Sequence, residues 1–429
     1  MRIKISNGLV IDPANNIETK HDIYISEGRI AAIGKQPDGF ASERDKLQTI
    51  DASGCHVIPG IVDLRARLRE PGLENKGTIA SETRAAAASG ITTLCIPPDT
   101  SPVIDSTSVV ELIHQRATEA GYANVVTLGA LTAELKGEQL SEMALLKKFG
   151  NCVGVSNALT PISNSLIMRR AMEYAASCGL TIFLHAEDEG LAGNGCAHEG
   201  AISTRLGLPG IPETAETNAV ARDLLLIEQT GVRAHFCHIS SASAVQMIAR
   251  AQYDGLPVTA DVSAHHLHLT EMDIGYFDSN CHVRPPLRTQ RDREALVDAL
   301  ATGNINAICS DHEPHDTDAK LAPFSETEAG ISALETLLPL ALRLTEDLSL
   351  SDVINRLTWQ PAKILGIDAG TLSVGEKADI CIYNPDTNWI LKTEDMLSAG
   401  HNTPFAGWEF KGKVMHTLLH GKMVYSAHE

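Results

Sequence analysis

The sequence predicts an α/β protein whose centre is a (β/α)8 TIM barrel, with a small β-sandwich domain built from both ends of the chain. After Pro59, about eight strand-like segments alternate with helical ones over about 250 residues, which is typical of this barrel. Both ends of the chain alternate apolar and polar residues, and neither end alone offers enough strands for a stable sheet. We therefore predict a composite β domain of residues 1–57 and 368–429 beside a barrel of residues 58–367.

The strands of the predicted barrel are short apolar runs that end in polar residues. Helical segments separate them, and the segments 163–178 and 212–230 are each followed by a glycine, as at many helix C-termini. The eight strand candidates are residues 61–67, 91–97, 124–131, 152–157, 180–186, 233–239, 257–263 and 305–311.

Composition excludes several classes of partner. The 429 residues are 43% hydrophobic, and the formal net charge of -19 argues against nucleic acid or an anionic membrane, which both need a basic surface. No segment has transmembrane length, and the N-terminus lacks the apolar centre of a signal peptide. The nine cysteines lack metal-binding or redox spacing, so we expect reduced, buried thiols in a cytoplasmic protein.

Barrel enzymes place reacting groups at the carboxyl ends of their strands. His185 and His238 end two strands, where they could share a metal ion or could bond to backbone at the edge of the core. Asp311, in the segment SDHEPH, suits a metal ligand or a general base, and it also suits a turn cap. The polar residues at the other strand ends are Arg65, Arg67, Asp99, Asn157 and His265.

Two further clusters are basic or rich in histidine. Arg65, Arg67 and Arg69 alternate along the first strand and point the same way, which is costly unless anions meet them. For the histidines of residues 265–268 we expect a partly exposed loop rather than a metal site, because adjacent strand residues point to opposite faces.

A specific set of motifs covers nearly the whole chain: GIVDLRARLREPG, AAAASGITTL, FLHAED, FCHISSAS, RPPLR, SDHEPH, GISALETLLPL, PAKILGI and TLSVGEKADI. This set resembles the type I dihydroorotases of the amidohydrolase superfamily. The resemblance implies a zinc-dependent barrel of the amidohydrolase type that hydrolyses a cyclic amide C–N bond. It also implies zinc ligation by His185 and His238, metal binding and proton transfer by Asp311, and substrate contacts from Arg69 and His315.

Three positions of the implied metal site depart from the family pattern. Arg65 and Arg67 stand where the family has a histidine pair, and a guanidinium has no lone pair to give to zinc. Asn157 stands where the family has a bridging carboxylated lysine or an aspartate, which a neutral amide replaces poorly. We therefore expect no cofactor, or at most one zinc ion on the remaining ligands.

Two implied substrate contacts also change, because Asp99 and Arg284 stand where the family has asparagines. Asp99 would set a carboxylate against an anionic substrate. We hypothesise that the two arginines of the first strand replace the charge of the metal by pairing with Asp63, Asp99 or Asp311. Such ion pairs would close the barrel mouth without zinc.

The favoured interpretation is a pseudoenzyme of de novo pyrimidine biosynthesis, similar to the inactive dihydroorotase-like subunits found with aspartate carbamoyltransferase. The resemblance implies a structural role beside the catalytic subunit of that enzyme, within a homo-oligomer such as a dimer. The alternative is an active dihydroorotase, or another cyclic amidohydrolase, with a mononuclear zinc site. A third, less favoured interpretation is a metabolite sensor that uses Arg65, Arg67, Arg69 and Arg284 as an anion clamp.

Overall fold

A computed structural model describes residues 2–40 and 47–427 of the chain. The strands that precede the barrel are short, and branched apolar residues such as Ile3 and Ile5 alternate along them so that one face is buried. These strands are β1 (Arg2–Ser6), β2 (Leu9–Asp12), β3 (Ile17–Lys20), β4 (Ile23–Ser26), β5 (Arg29–Ile33), β6 (Leu47–Asp51) and β7 (His56–Pro59).

Eight parallel strands then form one sheet in chain order, which curves into a nearly closed barrel. All eight strand candidates from the sequence are confirmed, because the long apolar runs are buried on both faces. A two-stranded ribbon, β13 (Ala197–His198) with β14 (Gly210–Ile211), lies outside the barrel sheet. The barrel strands are β8 (Ile61–Asp63), β9 (Ile91–Ile96), β10 (Asn124–Ala130), β11 (Cys152–Ser156), β12 (Thr181–Leu184), β15 (Ala234–Phe236), β16 (Val258–Ser263) and β17 (Ala307–Cys309).

Helices connect the barrel strands and cover the outside of the sheet. The two helices predicted most clearly, α4 and α7 below, end before Gly179 and Gly231, whose left-handed backbone closes the last turn. The helices are α1 (Ile79–Ala88), α2 (Thr107–Ala120), α3 (Met143–Lys147), α4 (Ser165–Cys178), α5 (Glu189–Ala192), α6 (Ala201–Leu206), α7 (Glu213–Thr230), α8 (Ala242–Tyr253), α9 (Gln290–Thr302), α10 (Leu334–Arg343), α11 (Leu350–Leu357) and α12 (Trp359–Leu365).

The first and last barrel strands contact each other mainly through the residues that follow the regular part of each strand. β8 ends at Asp63, earlier than the sequence predicts, and the chain then runs into the barrel mouth with one isolated bridge between Ala66 and His312. The Asp63 carboxylate accepts hydrogen bonds from the backbone N–H of Ser310 at 2.8 Å and from the hydroxyl of the same residue. Burial raises the pKa of Asp63 to about 7. This side chain therefore joins the first and last barrel strands, and its contact with Arg65 is to the backbone N–H at 3.5 Å and not to the guanidinium.

The two ends of the chain pair in one sheet outside the barrel. Its order is β20-β19-β18-β7-β2-β3, and the antiparallel pairing of β18 with β7 sets Cys381 opposite Ile58. A second sheet has the order β5-β4-β1-β6, and side chains from both sheets share one apolar core. The predicted domain boundaries at residues 57 and 368 stay a prediction. The C-terminal strands are β18 (Ile380–Ile390), β19 (Glu409–Leu419) and β20 (Lys422–Ser426).

Two expectations from composition can be compared with the structure. All nine cysteines are free, and seven of them are buried, as expected for reduced core thiols. Within residues 2–40 and 47–427, every helix is too short or too polar to cross a membrane.

Candidate functional site: a charge-paired barrel mouth

The carboxyl ends of the barrel strands bring most of the predicted site residues into one buried cluster. Asp311 lies at its centre, at the end of the last strand, with a left-handed backbone (φ 49°) that turns the chain into the mouth. His238 has the same unusual conformation (φ 40°) at the end of the sixth strand. The residues that come together are Arg65, Arg67, Arg69, Asp99, His185, His238, Arg284, Asp311 and His315.

The central contact is an ion pair between Arg65 and Asp311. The Arg65 Nε atom lies 2.7 Å from Asp311 Oδ1, and both side chains are more than nine-tenths buried. The other carboxylate oxygen lies 3.0 Å from His238 Nδ1. Burial opposes the charged carboxylate, but His238 and Arg65 together hold the pKa of Asp311 well below its usual value. Asp311 is therefore an ionised counterion at neutral pH.

Arg67 is held by two carboxylates at once. Its Nε donates to Asp99 Oδ2 at 2.9 Å, and its Nη1 donates to Glu313 Oε2 at 3.2 Å. Burial disfavours the guanidinium charge, but Asp99 and Glu313 raise the pKa of Arg67 above its ordinary value. The structure thus confirms the predicted pairing of the first-strand arginines with Asp99 and Asp311.

Arg69 and His315, two of the four predicted substrate contacts, contact each other. The Arg69 Nε donates to the carbonyl of Pro314 at 2.9 Å, and its Nη2 lies 3.1 Å from His315 Nε2. Burial lowers the pKa of both side chains, and the pKa of His315 falls to about 4. At neutral pH the imidazole is therefore uncharged and leaves the arginine as the cation of this pair. Their substrate role stays a prediction.

The two retained histidines bond to each other. His185 Nδ1 lies 2.9 Å from His238 Nε2, so one of the two rings donates to the other. Burial lowers the pKa of both rings, and for His238 the nearby Arg65 lowers it further, to about 4. His185, His238 and Asp311 therefore form a chain of contacts in which both imidazole rings are uncharged at neutral pH. The negative charge lies on Asp311.

Arg284 is paired with Glu187, a carboxylate that sequence reasoning missed. The Arg284 Nε lies 3.0 and 3.1 Å from the two oxygens of Glu187. Burial opposes ionisation of Glu187, but His185 and Arg284 lower its pKa to about 2. Glu313 was missed in the same way, although each glutamate lies two residues after a predicted site residue, His185 in FLHAED and Asp311 in SDHEPH. Both motifs contain these glutamates, but only the fold shows which arginine each glutamate pairs with.

The formal charges of this mouth cancel. Four arginines, which include the three of the first strand, face four carboxylates that belong to three strand ends. An anionic metabolite at these guanidinium groups would have to compete with the four carboxylates, which weakens the sensor interpretation. The four arginines are Arg65, Arg67, Arg69 and Arg284, and the four carboxylates are Asp99, Glu187, Asp311 and Glu313.

Asn157 does not join the cluster. Its side-chain amide donates to the carbonyls of Leu135 and Thr160 at 3.1 and 2.9 Å, and its oxygen accepts from the Thr132 hydroxyl at 2.7 Å. The residue at the family's bridging position therefore holds two loops together in this chain.

The expectation of a partly exposed loop was wrong for His265 and His266, whereas His268 is only partly buried. His265 and His266 lie in a 3-10 turn, Ala264–Leu267, in which their side chains are buried. Both rings lie within 3.1 Å of the Ser263 hydroxyl. The strand ends at Ser263, as predicted, so the alternation of strand side chains does not apply to the turn that follows.

The cluster does not fit the metal pair of the family. Arg65 and Arg67, which the resemblance predicts at two ligand positions, carry guanidinium groups that cannot coordinate zinc and that bring positive charge to this part of the mouth. The remaining residues, His185, His238 and Asp311, do not bring one ligand atom each within 4.8 Å of the other two. Among the described residues, the set that does so is His235, Cys237 and Asp261 inside the barrel.

That inner set is already bonded without a metal. His235 Nε2 lies 2.8 Å from Asp261 Oδ2, and its Nδ1 lies 2.8 Å from the Thr259 hydroxyl. The second oxygen of Asp261 accepts from the backbone N–H of His238 at 2.6 Å. This carboxylate therefore supports the left-handed turn that places the His238 ring in the mouth.

Known proteins resemble this chain along its full length. A sequence profile of the "Dihydro-orotase-like" family matches residues 54–244. A "Dihydroorotase-like protein" of Pseudomonas putida is 49% identical over 99% of both chains. The chain belongs to the dihydroorotase-like family of the amidohydrolase superfamily. A relative named "Dihydroorotase", from Syntrophotalea carbinolica, is 44% identical to this dihydroorotase-like chain, again over 99% of both.

A solved structure supports the amidohydrolase fold of this dihydroorotase-like chain. The L-hydantoinase (dihydropyrimidinase) from Arthrobacter aurescens superposes with a TM-score of 0.86 and covers 99% of this chain and 96% of its own. At 24% identity, this similarity describes the fold alone.

Proposed function

We propose that this protein is a catalytically inactive dihydroorotase-like subunit that serves as a structural partner of aspartate carbamoyltransferase in de novo pyrimidine biosynthesis. The observation that carries the proposal is the 2.7 Å ion pair between Arg65 and Asp311. In the family pattern, the place of this guanidinium belongs to a metal ligand.

Inactivity follows from the chemistry that ring hydrolysis requires. In the family, the metal lowers the pKa of a bound water and polarises the amide carbonyl, and much of the rate depends on both effects. Asp311 would then have to accept a proton, but a carboxylate with a strongly lowered pKa is a weak base. The cluster thus supplies neither an activated water nor a competent base.

The partnership rests on resemblance and on what the altered mouth leaves intact. The barrel, both outer sheets and the apolar core are complete in the described residues, although the catalytic residues have changed. A chain that keeps its whole fold while replacing its metal ligands fits a role in assembly. The relative of Pseudomonas putida also carries the name "Dihydroorotase-like protein".

Co-expression with the transcarbamoylase of the same organism tests the partnership. We expect the two chains to elute together in gel filtration, ahead of either protein alone, and we expect the transcarbamoylase to be more active or more stable in the complex. Separate elution of the two proteins at micromolar concentration would contradict the proposal.

A second candidate, a mononuclear cyclic amidohydrolase, is favoured by one observation. His185, His238 and Asp311 are all retained and lie in a continuous chain of contacts of 2.9 and 3.0 Å. Ring opening of dihydroorotate by the purified protein, with and without added zinc, separates the two candidates. We expect no turnover above buffer from the unmodified chain, and robust turnover would favour the second candidate. An Arg65→His, Arg67→His double variant shows whether the barrel regains zinc binding when these guanidinium groups are removed.

A further inference from the structure

Two neighbouring loops at the carboxyl end of the barrel present large apolar side chains to solvent. The loop after β16 carries Met272, Tyr276 and Phe277, and the loop after β17 carries Leu321. Tyr276 is fully exposed, and Met272 and Leu321 are 59% and 73% exposed. Single exposed apolar residues are ordinary, but four in two adjoining loops indicate an interaction surface. We call these four residues the rim patch.

The two loops form one surface because they are bonded to each other. The Ser279 hydroxyl donates to the carbonyl of Lys320 at 2.8 Å, and the Lys320 Nζ donates back to the carbonyl of Ser279 at 3.1 Å. Leu321 directly follows this lysine, and Phe277 precedes the serine by two residues. The exposed side chains therefore lie on two loops that these hydrogen bonds hold together.

The backbone is strained where it displays an aromatic ring. Phe277 has a φ of 67°, in the left-handed region that bulky residues rarely adopt, and its side chain is 47% exposed. Asparagine or glycine would suit this turn better, so folding alone does not explain a phenylalanine here. A binding role would explain it.

The two loops that carry the rim patch are acidic. Between residues 270 and 282 and between 316 and 321 there are five acidic side chains and one lysine. The ammonium group of that lysine, Lys320, donates to three backbone carbonyls, those of Ser279, His282 and Glu328. A second copy of the same patch would therefore be repelled, whereas a basic partner would be attracted. The acidic side chains are Glu271, Asp273, Asp278, Asp316 and Asp318.

We propose that the rim patch is the surface on which the transcarbamoylase partner docks, by an apolar recess flanked by lysine or arginine side chains. The identity of the partner rests on the proposed function, whereas the position of the surface rests on exposure, strain and charge. Tyr276 and Phe277 are the anchors, because aromatic side chains at the centre of an interface contribute most of its affinity. The acidic rim speeds association and makes it sensitive to salt.

A binding titration of the full-length protein with the purified transcarbamoylase of the same organism tests the docking surface. The variant is Tyr276→Ser with Phe277→Asn, which removes both rings and places asparagine on a backbone that it tolerates, so that folding is preserved. The matched control is Tyr253→Ser, because Tyr253 is 84% exposed but ends α8, near the opposite end of the barrel. We expect the double variant to raise the dissociation constant at least about 30-fold. The dissociation constant of the control should stay within about twofold of the wild-type value.

The outcomes separate this inference from the proposed function. Binding by the wild type and the control, with loss in the double variant and weakening by high salt, supports the rim patch. Equal binding by all three proteins would overturn the rim patch and leave the partnership intact. Absence of binding by the wild type would overturn the partnership and, with it, this assignment of the surface. Self-association of the wild type that the double variant abolishes would assign the patch to a second copy and would also overturn the inference.

Discussion

In one half of the barrel mouth, Arg65 and Arg67 carry fixed positive charge and face acids, whereas in the other half His185 and His238 are neutral and bond to each other. The resemblance predicts that the first half departs from the metal-ligand pattern of the family and that the second half keeps it. Asp311 belongs to both halves, because one of its oxygens meets Arg65 and the other meets His238.

The difference teaches how buried acids and histidines can be balanced by arginine side chains alone. A buried carboxylate and buried histidines need a positive partner, and here guanidinium groups supply the charge that a metal would bring. Arg67 is matched by Asp99, a second departure from the family pattern, so two changed positions compensate each other. Retained ligand residues are therefore weak signs of activity when the charges around them have been exchanged.

The largest effect is expected when the residue shared by both halves is removed. Asp311→Ala leaves Arg65 buried without its counterion, and we expect a loss of about 3–5 kcal/mol in the free energy of unfolding. Urea denaturation at pH 7 measures the loss. Asp254→Ala, which breaks an exposed pair with Arg250, is the control and should cost no more than about 0.5 kcal/mol. A loss of under about 1 kcal/mol for Asp311→Ala would contradict the claim that Asp311 is the counterion of buried Arg65.

The second-largest effect concerns the pH dependence of the free energy of unfolding, through Glu187 in the half of the mouth that contains His185 and His238. The folded-state pKa of Glu187, about 2, is below its ordinary value of 4.5. Its contribution to stability is therefore present above pH 4.5 and is lost as the pH falls towards 2. Glu187→Gln should lower the free energy of unfolding at neutral pH by roughly 3 kcal/mol, with a difference that shrinks below pH 4.5. A difference that stays constant from pH 7 to pH 3 would show that the charge of Glu187 is not responsible.

The third effect tests whether Asn157 has left the metal site. Asn157→Asp replaces an amide that donates to two carbonyls with a carboxylate that repels them. We expect a loss of about 1–3 kcal/mol in the free energy of unfolding, without any gain in zinc affinity. Thr160→Ser is a mild control, because it keeps the carbonyl that the amide contacts. Stabilisation of Asn157→Asp by zinc in thermal melts would contradict the assigned role.

The smallest expected effect is the coupling energy between Arg67 and Asp99, in the half of the mouth that contains the arginines. A double-mutant cycle with Arg67→Gln and Asp99→Asn should give a coupling energy of about 1 kcal/mol, reduced because Asp99 is 26% exposed. Urea denaturation of the four proteins measures it. Strictly additive losses would mean that the two departures from the family are independent.

The barrel was predictable because its strands are continuous apolar runs and its helices end in glycines with left-handed backbone. The sequence also predicted that Arg65 and Arg67 need anions, since no buried guanidinium is stable alone. It could not assign Glu313 to Arg67 or Glu187 to Arg284, because these partners are 246 and 97 residues apart. Long-range pairing depends on strand register, which local patterns do not contain.

Other errors have local causes. The first strand ends at Asp63 and not at residue 67, because the chain must leave the sheet to bring Arg65 and Arg67 over Asp311. His265 and His266 are buried because a 3-10 turn, and not a strand, carries them. Asn157 points into a loop contact that no spacing rule anticipates.

The central claim is that guanidinium groups have taken the place of the metal. Elemental analysis of the purified protein after dialysis against zinc and then against buffer tests it most directly, with the Arg65→His, Arg67→His variant measured alongside. We predict substoichiometric zinc on the unmodified chain. About one or more tightly bound zinc ions per unmodified chain would contradict the account.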